Sequence, residues 1–212
     1  MNRRSMLRHL GAFAALAATG PAVLAQQDGL YLTLPSKVAG DAPGKIELIE
    51  FFHYGCPHCR NFDPLLHAWL KNLPDDVAFR RVPAIWGNPQ LKELARLYYT
   101  LESMGQVDKL NEAVFAGVQD KRLPLHTEQG VRDWAAAQGL DVTVFMDTYK
   151  SFGLNTQLQR ADQLAKTYQI KGVPTMVVGG NYVTSASMTG SHEATLKVVD
   201  ELIVKARAEL GS

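Results

Sequence analysis

The sequence predicts an α/β fold in which a block of helices interrupts a β-sheet. Three observations indicate this arrangement. Apolar, β-prone segments at residues 45–52 and 77–83 are followed, far along the chain, by a β-hairpin pattern at residues 177–183. The long span between them carries apolar residues at helical spacing, and a last helical pattern follows the hairpin. Both ends of the chain are therefore expected to supply strands to one sheet.

The first 25 residues have the pattern of a secretory signal peptide. Arg3, Arg4 and Arg8 form a positive start, residues 10–24 are apolar and uncharged, and Ala25 ends a cleavage site of small or apolar residues. A membrane anchor fits less well, because the apolar run is short and rich in alanine. We expect export with cleavage near Ala25, by the general secretory or the twin-arginine route.

Residues 26–212 suit one domain, or one domain with an insertion. The leader holds three of the 22 Lys and Arg residues and none of the 21 Asp and Glu residues, so the remainder is slightly acidic. This balance gives no indication of a nucleic-acid partner or an anionic surface. Hydrophobic residues make up 46% of the chain, enough for a substantial core.

The first β-prone segment leads directly into a helix that begins at a cysteine pair. Residues 45–52 have the pattern of a buried central strand. Pro57 suits the first helical turn, because the N–H that it lacks has no partner there, and Pro64 predicts a kink further on. Cys56 would then lie at the helix N-terminus, where free N–H groups and the helix dipole stabilise a thiolate. Cys59 follows one turn later on the same face.

Cys56 and Cys59 are the only cysteines, and a redox-active pair suits their spacing best. A structural disulfide would close a very short loop and gain only about 2 kcal/mol in chain entropy. A zinc site of this type usually brings a second pair of ligands at similar spacing, although nearby histidines remain available. A c-type haem would need histidine in place of Arg60.

The middle and the end of the chain are predicted to be mostly helical. Helices are expected near residues 91–101, 107–115, 127–138, 141–152 and 154–168, and a C-terminal helix over residues 192–208. Thr127 and Ser191 are suitable N-caps. A Gly-rich turn at residues 179–181 joins the two strands of the hairpin, and Pro174 lies just before it, which is ordinary for a strand start.

The segment FFHYGCPHC at residues 51–59 resembles the active site of the DsbA family. Its Cys-Pro-His-Cys tetrapeptide is the specific part, and the export signal and the Gly-Val-Pro-Thr segment at residues 172–175 support it. The resemblance extends from about Tyr31 to the C-terminal helix. It implies an α/β thioredoxin fold with an inserted all-helical domain. The thioredoxin-like parts would be residues 26–87 and 155–212, with the insertion at residues 88–154.

The resemblance also implies roles for individual residues. The catalytic residues would be Cys56, Cys59, Pro57 and His58, with the two cysteines forming the redox-active disulfide. Val173 and Pro174 would dock the substrate, with a cis bond between them. Glu50 matches a buried acid that exchanges protons near Cys59, although an exposed edge position is the alternative. We expect His53 and Tyr54 only to shape the surface, and His67, His126 and His192 to be solvated or capping residues.

The function implied is a periplasmic thiol:disulfide oxidase. Its substrates would be unfolded exported proteins with reduced cysteines, and a DsbB-like, quinone-linked membrane protein would reoxidise it. It would act as a monomer, without metal, bound cofactor or nucleic acid. A disulfide isomerase or reductase is an alternative, although the segment before residue 45 is too short for a dimerisation domain. A non-catalytic periplasmic binding or chaperone protein with a structural disulfide is the other.

Overall fold

A five-stranded mixed sheet forms the centre of the protein in the computed structural model, which describes residues 29–210. The strands are β1 (Leu32–Thr33), β2 (Ile46–Phe52), β3 (Val77–Pro83), β4 (Thr175–Val178) and β5 (Tyr182–Ser185). Their order is β1-β5-β4-β2-β3, and only the β2–β3 pair is parallel. The predicted signal peptide lies outside the described residues.

Helices occupy both the middle and the end of the chain, which confirms the predicted α/β arrangement. They are α1 (Pro57–Leu70), α2 (Pro89–Ser103), α3 (Val107–Gln119), α4 (Glu128–Ala137), α5 (Val142–Tyr149), α6 (Phe152–Thr167), α7 (Ala186–Thr189) and α8 (His192–Leu210). None of the helices between residues 29 and 210 is long and apolar enough to cross a membrane.

Strand β2 separates two hydrophobic cores, and all seven of its residues are buried. Successive side chains of a strand point to opposite faces, so Leu48 and Ile49 belong to different cores. Leu48 packs with residues of α1 and α8, such as Leu66 and Leu202. Ile49 belongs to the larger core, which includes residues of α2 to α6. Each large apolar side chain buried in this way contributes about 1.5–3 kcal/mol.

The local prediction of helix ends is correct where a capping side chain is present. The Thr127 hydroxyl accepts a hydrogen bond from the Gly130 N–H, and the Ser191 hydroxyl accepts one from the Ala194 N–H, as their predicted N-cap roles require. Pro64 lies inside α1 without ending it.

The structure differs from the prediction at one helix boundary, at strand β1 and at the short helix α7, which was not predicted. The boundary between the fourth and fifth predicted helices lies earlier, because Ser151 takes an extended backbone conformation and Phe152 then begins α6. Strand β1 was missed, since two residues are too few for a periodic pattern, and its pairing with β5 is what defines it. The division at residues 87 and 154 stays a prediction; α2 to α5 lie between these positions.

Candidate active site

The cysteine pair lies at the N-terminus of α1, directly after the carboxyl end of β2. Cys56 is the N-cap residue of α1, and Pro57 occupies the first turn. The Cys59 backbone N–H donates a hydrogen bond to Cys56 Sγ at 3.4 Å. Cys56 is 7% exposed and Cys59 fully buried, so only the first cysteine is open to attack from outside. Both are free thiols in this structure.

The surroundings of Cys56 favour its thiolate. The Cys59 S–H is the largest cause, and it lowers the Cys56 pKa from 9.0 to about 6, together with the backbone N–H groups of Cys59 and His58 and the charge of His58, against the effect of burial. These are the donors that a helix N-terminus offers to an anion. At neutral pH, Cys56 is therefore mostly ionised, which is the reactive form of a cysteine.

Cys59 has the opposite character. Burial raises its pKa far above 9.0, and the hydrogen bond that its thiol donates to Cys56 adds to this. The negative charges of Cys56 and Glu50 raise the Cys59 pKa further. The two sulfurs therefore hold one proton and one negative charge between them when the pair is reduced, with the proton on Cys59.

Val173 and Pro174 come from the other end of the chain to the same site. Their peptide bond is cis, as the resemblance implied. Cys56 Sγ lies 3.4 Å from the Val173 carbonyl oxygen, to which its S–H donates only when this thiol is protonated. A groove of about 730 Å³ with a mostly apolar surface adjoins them, and its other walls include His58, Met188 and His192. We call this groove the apolar groove.

Glu50 lies beneath the cysteines in a buried network of charges. It is 2% exposed, on the central strand β2, so the edge position considered as an alternative is excluded. Arg81 Nε donates to Glu50 Oε2 at 2.7 Å, and the Arg81 Nη2 donates to Asp63 Oδ1 at 2.8 Å. Burial raises the Glu50 pKa from 4.5 to about 7, because it outweighs the nearby Arg81 charge. Glu50 therefore titrates near neutral pH and its charge reaches Cys59.

The network continues into α3 and shows that one expectation was wrong. Tyr54 is 1% exposed and not a surface residue. Its hydroxyl donates to Asn111 Oδ1 at 2.8 Å, and the Asn111 side-chain amide donates to Asp63 Oδ1 at 2.7 Å. Phe115 packs edge-to-face on the Tyr54 ring, with centroids 4.9 Å apart.

A second cleft, which has a polar lining, opens between α1 and α3 next to Asp63 and Arg81. Its volume is about 610 Å³. We call it the charged cleft, because seven of its lining residues are ionisable: Arg60, Asp63, His67, Lys71, Arg81, Asp108 and Glu112. Asp63 and Arg81 thus connect the cleft to Glu50.

His192, expected to be a solvated or capping residue, is half-buried at the first position of α8. Its ring lies 5.2 Å from that of Phe62 and 6.4 Å from that of His58, between centroids. Burial lowers the His192 pKa, and the charge of His58 lowers it further. His192 therefore forms part of the wall of the apolar groove beside the catalytic motif.

The site residues predicted from the sequence thus lie close together in the structure. The site residues that the sequence analysis missed are mostly those that contact the site from distant parts of the chain. Cys56, His58, Val173 and Pro174 share one rim, with Cys59 and Glu50 behind it. Asp63 could have been found from its position one turn after Cys59, on the same face of α1. No local signal marked Arg81 or Asn111, since each acts across elements.

The reactive groups of the site are two thiols and a carboxyl that can exchange a proton. One thiol is ionised and 7% exposed at a rim, its partner is protonated and fully buried, and a carboxyl that titrates near pH 7 lies behind them. Among residues 29–210, no three His, Cys, Asp or Glu side chains are grouped so that they could hold a metal ion. The fold and this pair define a thioredoxin-fold protein with a dithiol site.

Comparison with known proteins narrows this class to one family. Residues 76–196 match the model of the DSBA-like thioredoxin domain. The thiol:disulfide interchange protein DsbA of Bordetella parapertussis is 42% identical over 200 residues, covering 92% of this chain and 95% of that one. DsbA of Pseudomonas aeruginosa strain PAO1 is 42% identical over 84% of each chain.

Solved structures agree with this relationship. The crystal structure of Pseudomonas aeruginosa DsbA superimposes with a TM-score of 0.82 at 41% identity, covering 86% of this chain and 94% of that one. The oxidoreductase NmDsbA1 from N. meningitidis gives a TM-score of 0.78 at 27% identity. The chain belongs to the DsbA family and has its thioredoxin fold, as the sequence predicted.

Proposed function

We propose that this protein is a thiol:disulfide oxidase that donates a Cys56–Cys59 disulfide to newly exported proteins. The observation that carries the proposal is the opposite character of the two thiols within one helical turn. The Cys56 pKa is lowered to about 6 by the Cys59 S–H and by backbone N–H groups, whereas burial raises the Cys59 pKa. The names of its relatives, thiol:disulfide interchange proteins, support the same activity.

In the first step, a substrate thiolate attacks Cys56 Sγ of the disulfide. A new bond forms between the substrate sulfur and Cys56, the Cys56–Cys59 bond breaks, and Cys59 leaves with the electron pair. Cys59 then takes up a proton, because burial disfavours its thiolate. Glu50, with a pKa raised by burial to about 7, is a suitable proton source.

In the second step, another thiolate of the substrate attacks the substrate sulfur of the mixed disulfide. Cys56 leaves as a thiolate, and its pKa of about 6 makes it a good leaving group. The substrate gains a disulfide, and the protein gains two electrons as a dithiol. Pro57 and His58 contribute by starting α1 and by adding backbone and side-chain polarity next to Cys56.

The peptide around the substrate cysteine would dock at Val173 and Pro174. The Val173 carbonyl lies 3.4 Å from Cys56 Sγ, so a bound chain that pairs with this backbone has its sulfur at the site of attack. The adjoining apolar groove offers burial to apolar side chains of an unfolded protein. This surface fits many sequences, because backbone and apolar contacts discriminate little among them.

The direction of the reaction follows from the thiolate. Groups that stabilise the Cys56 thiolate stabilise only the reduced protein, so its disulfide is readily given away. An isomerase or reductase instead needs a redox equilibrium with glutathione that favours its oxidised form. We further propose that the protein works in the periplasm as a monomer and passes its two electrons to a DsbB-like, quinone-linked membrane protein.

A turnover assay tests the proposal. Substoichiometric oxidised protein is mixed with a reduced peptide containing two cysteines and with excess glutathione disulfide, and peptide disulfide is followed by mass spectrometry. We expect many turnovers with the wild type, none with Cys56→Ser, and an accumulating mixed disulfide with Cys59→Ser.

The alternatives give different results. A binding protein with a structural disulfide would act stoichiometrically and keep its effect on substrate aggregation in Cys56→Ser. An isomerase would rearrange a scrambled substrate in its reduced form, and its redox equilibrium with glutathione would favour the oxidised protein. Either result contradicts the proposed oxidase.

A further inference from the structure

Helix α3 makes a direct contact with the backbone of the catalytic motif. The side-chain amide of Gln119, in the last turn of α3, donates two hydrogen bonds, to the carbonyl oxygen of Tyr54 at 2.8 Å and to that of Cys56 at 3.0 Å. Gln119 is 63 residues away from Cys56 in sequence, so the contact is purely tertiary. The two carbonyl groups flank Gly55 and the nucleophilic cysteine.

The motif has few other bonds that hold this backbone. The Cys56 N–H donates to the His53 carbonyl at 3.0 Å, and the Cys56 carbonyl accepts the Arg60 N–H at 3.2 Å, a long first bond of the helix. Pro57 has no N–H to donate, and Gly55 has wide conformational freedom. The Gln119 side chain bonds to the carbonyl groups of both Tyr54 and Cys56. It therefore restricts the backbone torsions that determine where Cys56 Sγ lies.

The contact also has an electrostatic consequence. The carbonyl oxygens of Tyr54 and Cys56 are the negative ends of peptide dipoles next to a sulfur that becomes an anion. Donation by Gln119 draws electron density toward its N–H groups and offsets these negative ends. Its removal would take one donor from each carbonyl, leaving the Cys56 carbonyl with only the Arg60 N–H and the sulfur in a less favourable field.

We propose that Gln119 is a positioning residue, which holds Cys56 Sγ over the N-terminus of α1 and so lets α3 set the reactivity of the thiol pair. The proposal rests on the proposed role of Cys56 as nucleophile. It assigns a functional contribution to a helix that supplies no reacting atom.

The neighbouring ion pair is a different kind of contact. Asp120 and Arg60 also join α3 to α1, through two hydrogen bonds between their side chains. Their side chains are 54% and 34% exposed, so solvent screens the pair and its contribution is small. Asp120→Asn therefore removes the charge pairing between the same helices without touching the carbonyls of the motif.

Two substitutions test the proposal through the Cys56 thiolate, titrated by its ultraviolet absorbance in the reduced protein. Gln119→Met keeps the length of the side chain but cannot donate, and we expect the Cys56 pKa to rise by about half a unit or more. The redox equilibrium with glutathione should then shift about threefold toward the oxidised protein. Gln119→Lys can donate to the same carbonyls, and we expect it to restore the wild-type pKa or lower it.

Controls separate this role from simple packing. Asp120→Asn should leave the Cys56 pKa and the equilibrium unchanged, and so should Gln129→Met, because the Gln129 amide donates to Asp133 within α4. Circular dichroism checks that each variant is folded. Equal pKa values in wild type, Gln119→Met and Gln119→Lys would overturn the proposal, as would equal rises in both variants. A wild-type Cys56 pKa near 9 would instead contradict the proposed function.

Discussion

The apolar groove and the charged cleft differ in chemistry, and each is linked to the cysteine pair through its own set of residues. The apolar groove is lined by Val173, whose carbonyl oxygen lies 3.4 Å from Cys56 Sγ, and it offers backbone and apolar contacts. The charged cleft leads through Asp63 and Arg81 to Glu50, whose charge acts on Cys59. In the proposed reaction, the substrate docks on the side of the apolar groove, and the proton for Cys59 comes from Glu50 on the side of the charged cleft.

The sharpest test of this division is the reactivity of the two thiols. At pH 7, a Cys56 pKa of about 6 makes most of this thiol ionised, whereas Cys59 is buried and its pKa is raised above 9.0. We expect iodoacetamide to modify Cys56 at least about 100-fold faster than Cys59. Peptide mapping by mass spectrometry of the reduced wild type, sampled during alkylation, gives the two rates with the thiol pair intact. Faster modification of Cys59 would contradict the assignment of Cys56 as the ionised and reactive thiol.

Ionisation of Cys56, next to the apolar groove, should also change the free energy of unfolding of the reduced protein. The Cys56 pKa is lowered from 9.0 to about 6, so its contribution is fully present above pH 9 and is lost as the pH falls through 6. The oxidised protein has no such thiolate. We expect the free energy of unfolding of the reduced form, relative to the oxidised form, to rise by about 2.5 kcal/mol from pH 5 to pH 8.

Urea titrations of both forms measure this difference. Reduced Cys56→Ser is the control and should lack the slope. A difference that is flat or falls with rising pH would show that the groove side does not stabilise a thiolate.

Glu50, on the side of the charged cleft, should make the stability of the protein depend on pH in the opposite sense. Burial raises the Glu50 pKa from 4.5 to about 7, so its contribution to stability is fully present below pH 4.5 and is lost as the pH rises through 7. We expect the stability of Glu50→Gln relative to wild type to increase by about 2 kcal/mol between pH 5 and pH 8. The weaker pairing of Arg81 in the variant adds an offset that does not depend on pH.

Both proteins are compared in the oxidised form, so that cysteine ionisation does not contribute. If the difference between them is constant across this pH range, Glu50 does not titrate there and the proposed proton source is wrong.

The smallest effect expected is that of His58, at the rim of the groove. Its side chain is exposed, and its charge is the last of the causes that lower the Cys56 pKa, after the Cys59 S–H and the backbone N–H groups. We expect His58→Ser to raise the Cys56 pKa by about half a unit, roughly 0.7 kcal/mol, and to make the protein less oxidising. Thiolate absorbance measures it, and an unchanged pKa would leave His58 without a redox role.

The accuracy of the sequence-based prediction depends on how local each feature is. The start of α1 at Pro57 and the N-caps Thr127 and Ser191 follow from single residues and their near neighbours, and they were predicted correctly. The boundary at Phe152 was wrong because the apolar pattern runs through it, and only the extended backbone of Ser151 separates the two helices. Tyr54 was misplaced because its burial depends on Phe115 and Asn111 of α3.

The sequence by itself determined the fold class, the family and the cysteine pair, because these depend on periodicity and on a short motif. Tertiary structure decided the surroundings of the pair. It brings the Val173 carbonyl across 117 residues to Cys56, pairs Glu50 with Arg81 in the parallel register of β2 and β3, and places Gln119 on the backbone of the motif. The pKa of each thiol is set by burial and by donors within a few ångströms, and distances between remote segments exist only once the chain has folded.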